Sequence, residues 1–375
     1  MADPILDELN LTTLKEIYPA IIEDNFFLDT PLQAYLRARS LVPFSGGAFM
    51  QQTFLYKPMI GGSYPKGGSF NITKRQTLAG TVFDPKYYEV SVPEYKEDIQ
   101  VLNKGPLAVF SLIDVDLRNA MNTISAIVAV AMSLHGQASG TNITGNRPND
   151  INGWIEAIND GVSPGWEGSI FANYGTAPRN AVIGSALNGI VRWGGTSSGA
   201  AGPITYAFME ELYQSCSIGR QEPDLMACNK ALYAYIKERI QPQQRFAQER
   251  DPYWGVSGMR MNSAMILKDD YFPSLKYGVN DPDLGNYLTS TFTSPASGAD
   301  PTFPSSQTLT VGEVLGVFNT RKILFRISDD PEFGWGFSGF VPAQDNTRVV
   351  GQVKAATNLE FTAPRLNGQA FGFNG

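Results

Sequence analysis

The chain has 375 residues, 43% hydrophobic and 17% charged, which is enough apolar side chain for a sizeable core and excludes a disordered polymer. Its net charge of −7 speaks against a broad surface for gripping nucleic acid. Two cysteines, Cys216 and Cys228, and a single histidine, His135, exclude a disulfide framework and a zinc centre, and fit inert thiols in a reducing compartment.

Residues 1–30 carry seven acids, Glu23 and Asp24 among them, against Lys15 alone. They lack the basic and apolar regions of a signal peptide, so secretion by that route is not expected. "LTTLKEIYPAII" puts Leu11, Leu14 and Ile17 on one stripe and stops near Pro19. "TPLQAYLRARSLV" opens with Thr30 as N-cap and Pro31 in the first turn. Each helix is too short to hold a core, so the segment reads as an arm lying on something else.

Residues 48–101 read as extended. "FMQQTFLY" and "KYYEVSVPEY" are rich in aromatic and β-branched residues, with four prolines and glycine pairs at 61–62 and 67–68 between or beside them. They predict a long, exposed two-stranded arm, which is marginal by itself in water and needs a partner surface. Next comes the strongest helix, residues 105–136, with Pro106 near its start and Gly136 past its end, roughly 40–45 Å long at 1.5 Å per residue. Its apolar run, 124–134, is too short for a membrane span, so burial near the C-terminal end is expected.

Residues 137–330 mix helices ("NDINGWIEAINDG", "PITYAFMEELYQSC", "NKALYAYIKERI"), a buried strand ("DLMACN") and two Gly/Ser/Thr/Pro-rich stretches, 160–202 and 278–310, that read as loops. Strands close the chain: "KILFRIS", "FGWGFSGFV" and "RVVGQVKAATNLEFTAP", the last with a kink near Gly351.

No chemistry assembles from these residues. "PKGGS" has its lysine before the glycine pair and a strand-like segment after it, so it fails as a phosphate loop. His135 ends an apolar helix, where capping carbonyls is the simpler role. There is no GxSxG elbow, and the acid pairs Glu210/Glu211, Asp269/Asp270 and Asp329/Asp330 are consecutive, so their side chains diverge as surface acids. A structural protein with no cofactor, no metal and no catalytic residue is the reading.

The order of elements resembles the major capsid protein of tailed, double-stranded-DNA bacteriophages, an α+β architecture known as the Hong Kong 97 fold. The resemblance runs over nearly the whole chain and is most specific in "NDINGWIEAINDG" (149–161), "EPDLMACNKALYAYIKERIQPQQRF" (222–246) and "NLEFTAPRLNGQAFG" (358–372). It implies an N-terminal arm (1–45), an extended loop over the adjacent subunit (46–104) and a spine helix of the peripheral domain (105–136). An axial domain (mostly 137–325) and peripheral-domain strands (326–375) would follow. It further implies hexamers and pentamers in an icosahedral shell, a separate scaffolding protein, a portal and decoration proteins. Double-stranded DNA would be enclosed without sequence-specific binding, in a virion assembled in the host cytoplasm, with no membrane. The alternative is the shell of a cellular nanocompartment, an encapsulin.

Charge suggests how copies meet. Lys57, Lys66, Lys74 and Arg75 lie between Phe54 and Phe83 with no acid among them. They are expected to dock beside the acidic arm (Glu23, Asp24) or the Asp114/Asp116 turn of a neighbour. Lys57, Lys66, Lys74 and Lys86 are also available donors for the covalent cross-link that some of these phages make, but no acceptor is matched.

Overall fold

The computed structural model describes residues 30–95, 112–136, 148–179, 183–240, 249–250, 257–274, 291–293, 307–342 and 348–374. The expected helix at 11–17, the acids Glu23 and Asp24, the start of the helix at 105–111 and most of 278–310 lie outside these residues. The chain forms two compact units, one from Met1–Asp29, Tyr88–Ala126 and Asp330–Ala355 and the other from Thr30–Tyr87, Ile127–Asp329 and Ala356–Gly375.

In the first unit, one helical stripe meets a sheet. The helix Leu112–Met132 places Leu117, Ala120, Met121 and Ile124 three and four residues apart, hence on one face. That face packs on Tyr88, Val90 and Val92, the alternate residues of the strand Lys86–Tyr95, and on Val353, Ala355 and Phe337. Lys86–Tyr95 pairs with the 14-residue strand Arg348–Phe361. Gly334–Phe337 pairs with its Val353–Ala355 stretch, and Val341–Pro342 with Val349–Val350, all antiparallel. The strand runs unbroken through Gly351, where a kink was expected; the glycine serves close packing instead, since a Cβ there would meet the Phe337 ring at 2.4 Å. The irregularity sits instead on the partner strand, where the register shifts between Gly334 and Gly336 and Trp335 takes a φ of 66°.

The second unit is built on an eight-stranded sheet. Its path runs Glu249–Arg250, Ser257–Met261, Ala264–Lys268, Leu225–Cys228, Glu313–Phe318, Gly368–Asn374 and Ile190–Trp193, with Gly202–Pro203 also on Gly368–Asn374. Leu225–Cys228 is buried at every position, as a strand covered on both faces should be. The helices Tyr206–Ser215 and Lys230–Ile240 bring Met209, Leu212, Leu232 and Ile236 into one cluster with Met226, Leu315, Val317 and Ala370. Each large apolar side chain removed from water here contributes about 1.5–3 kcal/mol.

The helix at residues 31–40 is present, and the surface it lies on belongs to its own chain. Thr30 is its N-cap and Pro31 sits in the first turn, but the Thr30 hydroxyl donates to Gln33 Oε1 (3.0 Å) rather than accepting from a backbone amide. Leu32, Tyr35 and Leu36 are buried, and the Leu32 amide donates to Asp269 Oδ2 at 2.8 Å. The following strand, Leu41–Phe44, runs parallel to Phe325–Ser328.

Two further expectations change. "NDINGWIEAINDG" is helical only over Trp154–Ala157. The stretch 160–202, read as a loop, contributes core: Trp166, Phe171, Tyr174 and Trp193 are buried. Arg179 organises much of it by donating to the carbonyls of Phe171 (2.9 Å), Asn173 (2.8 Å) and Ala157 (3.0 Å). Burial lowers its pKa to about 10, which leaves the guanidinium charged at neutral pH.

Candidate functional site: an exposed hairpin and its root

The exposed arm is a hairpin, but not of the expected pair of strands. Met50–Leu55 pairs antiparallel with Leu78–Phe83, from Met50 opposite Phe83 to Leu55 opposite Leu78. The strand "KYYEVSVPEY" leaves the arm for the sheet of the first unit. The ladder continues one step through the Tyr56 amide, which donates to Thr77 O at 3.0 Å, and then opens into a tip, residues 57–76.

Local chemistry shapes that tip. The Gly68 amide closes a turn on the Pro65 carbonyl at 2.8 Å, with Gly67 at a φ of 80° inside it. Asn71 Oδ1 accepts from the Thr73 amide at 3.1 Å, and the rings of Tyr64 and Phe70 meet at 4.6 Å. The tip is nevertheless rich in uncovered apolar surface: Met59 is 74% exposed, Phe70 66% and Ile72 92%. Single exposed apolar residues are ordinary, but a cluster on one projection, rimmed by lysines, marks an interaction surface.

All four cations predicted to make contacts lie on this tip. Lys66 and Lys74 are exposed, Lys57 and Arg75 half-buried, and none of the four forms an ion pair among the described residues. Lys57 Nζ lies 5.6 Å from the centre of the Tyr56 ring. Asp116 is half-buried on the long helix of the other unit, and the side chain of Asp114, like Glu23 and Asp24, lies outside the described residues. Charge alone therefore gave half of the tip's chemistry. Its apolar half was legible too, as Met, Ile, Tyr and Phe set among glycine, proline and lysine with no alternation to direct them inward.

Where its ladder gives way to the tip, the hairpin borders a cleft of about 320 Å³. Phe54, Leu55 and Tyr56 form one wall and Thr362, Ala363 and Leu366 the other.

The groups that could do chemistry are shut away from water. His135 is fully buried, and its Nδ1 lies 2.5 Å from Glu167 Oε1, so a carboxylate is a partner of its ring. Burial pushes the thiols of Cys216 and Cys228 well above the usual range, which keeps them protonated and unreactive. Asp269, expected at the surface, is buried, accepting from the amides of Leu32 and Tyr271 at 2.8 Å each. Among the described residues no group of three or more His, Cys, Asp and Glu could hold a metal ion, and no helix is long and apolar enough to cross a membrane.

No protein-family model matches the chain, and no curated protein matches it. Solved structures do. The capsid of the cyanophage A-1(L) aligns with a TM-score of 0.60 at 12% identity over 95% of this chain and 96% of that one. The capsid of an empty GTA particle aligns at 0.58 with 9% identity over 100% of both. The holo-SrpI encapsulin complex from Synechococcus elongatus aligns at 0.57 with 9% identity, over 97% of this chain and 95% of that one. The chain therefore has the fold of phage capsid proteins, as its sequence led us to expect, and an encapsulin shares it.

Proposed function

We propose that this protein is the major capsid protein of a tailed phage, a structural and non-enzymatic subunit that assembles into an icosahedral head around double-stranded DNA. The observation that carries the reading is the hairpin, whose tip holds Met59, Phe70 and Ile72 in water on the isolated chain. Burying each against another surface would contribute about 1.5–3 kcal/mol before the cost of association is subtracted. A fold matched along its whole length by shell subunits gives that surface an identity: a neighbouring copy.

On this reading residues 1–45 are the arm, 46–104 the loop over the adjacent subunit, 105–136 the spine helix of the peripheral domain, 137–325 mostly the axial domain and 326–375 peripheral-domain strands. Lys57, Lys66, Lys74 and Arg75 would steer the tip toward the acids of the neighbour, Glu23 and Asp24 or Asp114 and Asp116, while the apolar side chains supply contact area. Hexamers and pentamers, a scaffolding protein, a portal, decoration proteins and assembly in the host cytoplasm complete the proposal.

The test is electron microscopy of the purified protein, alone and with a candidate scaffolding protein. Closed shells support the reading, and a protein that stays monomeric under both conditions overturns it. The encapsulin match favours one alternative, a compartment that encloses protein cargo. Nucleic acid extracted from particles made during infection separates the two.

A further inference from the structure

The hairpin is fastened to its own chain around one buried cross-strand pair, beside which the Val82 amide donates to the Thr176 hydroxyl at 3.1 Å. Gln52 and Thr81 lie directly opposite each other in the ladder, and both are buried while their strand neighbours Gln51, Thr53 and Gly80 are exposed. Gln52 Nε2 donates to the carbonyl of Phe361 at 3.1 Å. The Thr81 hydroxyl donates to the carbonyl of Tyr174 at 2.7 Å and accepts from the Thr176 amide at 3.2 Å. The two anchors are themselves joined, since the Phe361 amide donates to the Tyr174 hydroxyl at 2.6 Å. The circuit closes from hairpin to body and back.

Close approach reinforces it. Gly175 has a φ of 57°, and a Cβ there would fall 2.3 Å from the Thr81 hydroxyl oxygen. The Phe83 ring stands edge-on to Tyr174 at 5.0 Å. Stability alone does not explain Gln52: its Oε1 is buried with no hydrogen-bond partner among the described residues, which offsets what the Nε2 bond to the Phe361 carbonyl contributes.

We propose that the Gln52–Thr81 pair is a clamp that aims the hairpin, holding its root at a fixed angle so that the tip reaches its site on the next copy already oriented. Pre-orientation lowers the ordering cost of each contact, and an error of angle at the root is magnified at the tip. Gln52 and Thr81 are positioning residues; the docking contacts themselves belong to the tip. The inference rests on the shell reading for what the tip meets, but the clamp can be measured without any shell.

The experiment uses the full chain carrying dyes at Ser63→Cys on the tip and Arg220→Cys on the body, the native thiols being buried. Single-molecule energy transfer, below the assembly concentration, reports the distance distribution for wild type, Thr81→Val, Gln52→Met and Thr81→Ser. Thr81→Val removes both hydroxyl bonds at nearly constant volume, and it is expected to cut the aimed population about tenfold or more, since two backbone groups lose this partner. Gln52→Met is expected to broaden the distribution with no fall in melting temperature, and Thr81→Ser to restore the wild-type distribution. Undyed variants are then assembled, and shell yield is expected to follow the aimed population. Wild-type distributions in both Thr81→Val and Gln52→Met overturn the clamp. So does wild-type shell yield from a variant with a broadened distribution. If Thr81→Val fails to fold, Gln52→Met decides by the same criteria. Absence of shells from the wild type would count against the shell reading and leave the distance distributions to judge the clamp.

Discussion

The hairpin and the central strand Leu225–Cys228 are both short extended runs with apolar side chains, yet they end in opposite places. Each residue of Leu225–Cys228 is buried, between parallel Ala264–Lys268 and antiparallel Glu313–Phe318. On the hairpin strands the buried residues are Gln52, Thr81 and Phe83, while Leu55 and Leu78 face water across from one another. In the sheet, the polar groups are backbone amides paired within the ladder and the apolar groups find partners in the same chain. In the hairpin, polar side chains fasten the root and apolar ones are left over at the far end. The apolar groups that the chain covers by itself make it stable; those it leaves uncovered make it associate.

That contrast breaks most visibly by mutating one side at a time. Leu315→Ala, in the cluster with Met226 and Leu232, is expected to cost about 2–5 kcal/mol in urea unfolding, a large fraction of a typical domain's margin. Phe70→Ser with Ile72→Ser should leave the same unfolding curve within about 0.5 kcal/mol, because these side chains are exposed in the subunit. Shell yield from that pair should fall by an order of magnitude or more by sedimentation, each lost apolar contact being worth about a factor of ten. A double variant that assembles normally would mean that the tip touches nothing.

A subtler divide separates the tip's apolar side chains from its charges. Exposed ion pairs contribute about 0–1 kcal/mol each and are screened within about 10 Å at 0.1 M salt. Reversing Lys66, Lys74 and Arg75 to Glu should therefore slow assembly at low salt and converge on the wild-type rate as salt rises, with little change in the final yield, as followed by light scattering. An unchanged rate at low salt would remove charge steering from the mechanism.

The sequence made the sheet region easier to read than the hairpin, and the reasons are local. Lys230–Ile240 and Leu225–Cys228 follow patterns that nearby residues set, a helical stripe and a continuous apolar run. "NDINGWIEAINDG" shows the same apolar spacing but folds differently because its polar side chains compete for the backbone. Asn159 Oδ1 accepts from the Gly161 amide and Asp160 Oδ1 from the Val162 amide, at 2.8 Å each. The hairpin's return strand, "LAGTVF", was overshadowed by the more strand-like "KYYEVSVPEY". The clamp had no local signal at all: Thr81 bonds a carbonyl 93 positions away and Gln52 one 309 positions away. Composition shows that a glutamine and a threonine are present, and only the fold makes them opposite partners on one anchor.

The smallest effect tests whether the strand next to the clamp's Phe361 anchor carries a charge that opposes folding. Glu360 is buried at this point of the long strand; it accepts from Arg326 Nε at 3.2 Å through Oε2, while Oε1 has no partner among the described residues. Burial raises its carboxyl above the ordinary 4.5, and the Arg326 guanidinium only partly reverses that. A carboxyl raised in the folded state binds its proton more tightly there than in the unfolded chain. Its contribution is therefore fully present below about pH 4.5 and is lost as the pH rises through the raised value. Glu360→Gln should flatten this part of the stability–pH profile, read as the difference between the wild-type and variant unfolding curves from acid to neutral pH. The slope of that difference is the measurement, since the substitution also removes the carboxylate from Arg326 and shifts both ends together. A difference that stays constant across the range would mean that Arg326 fully compensates for burial, and that the strand carries its charge at no cost.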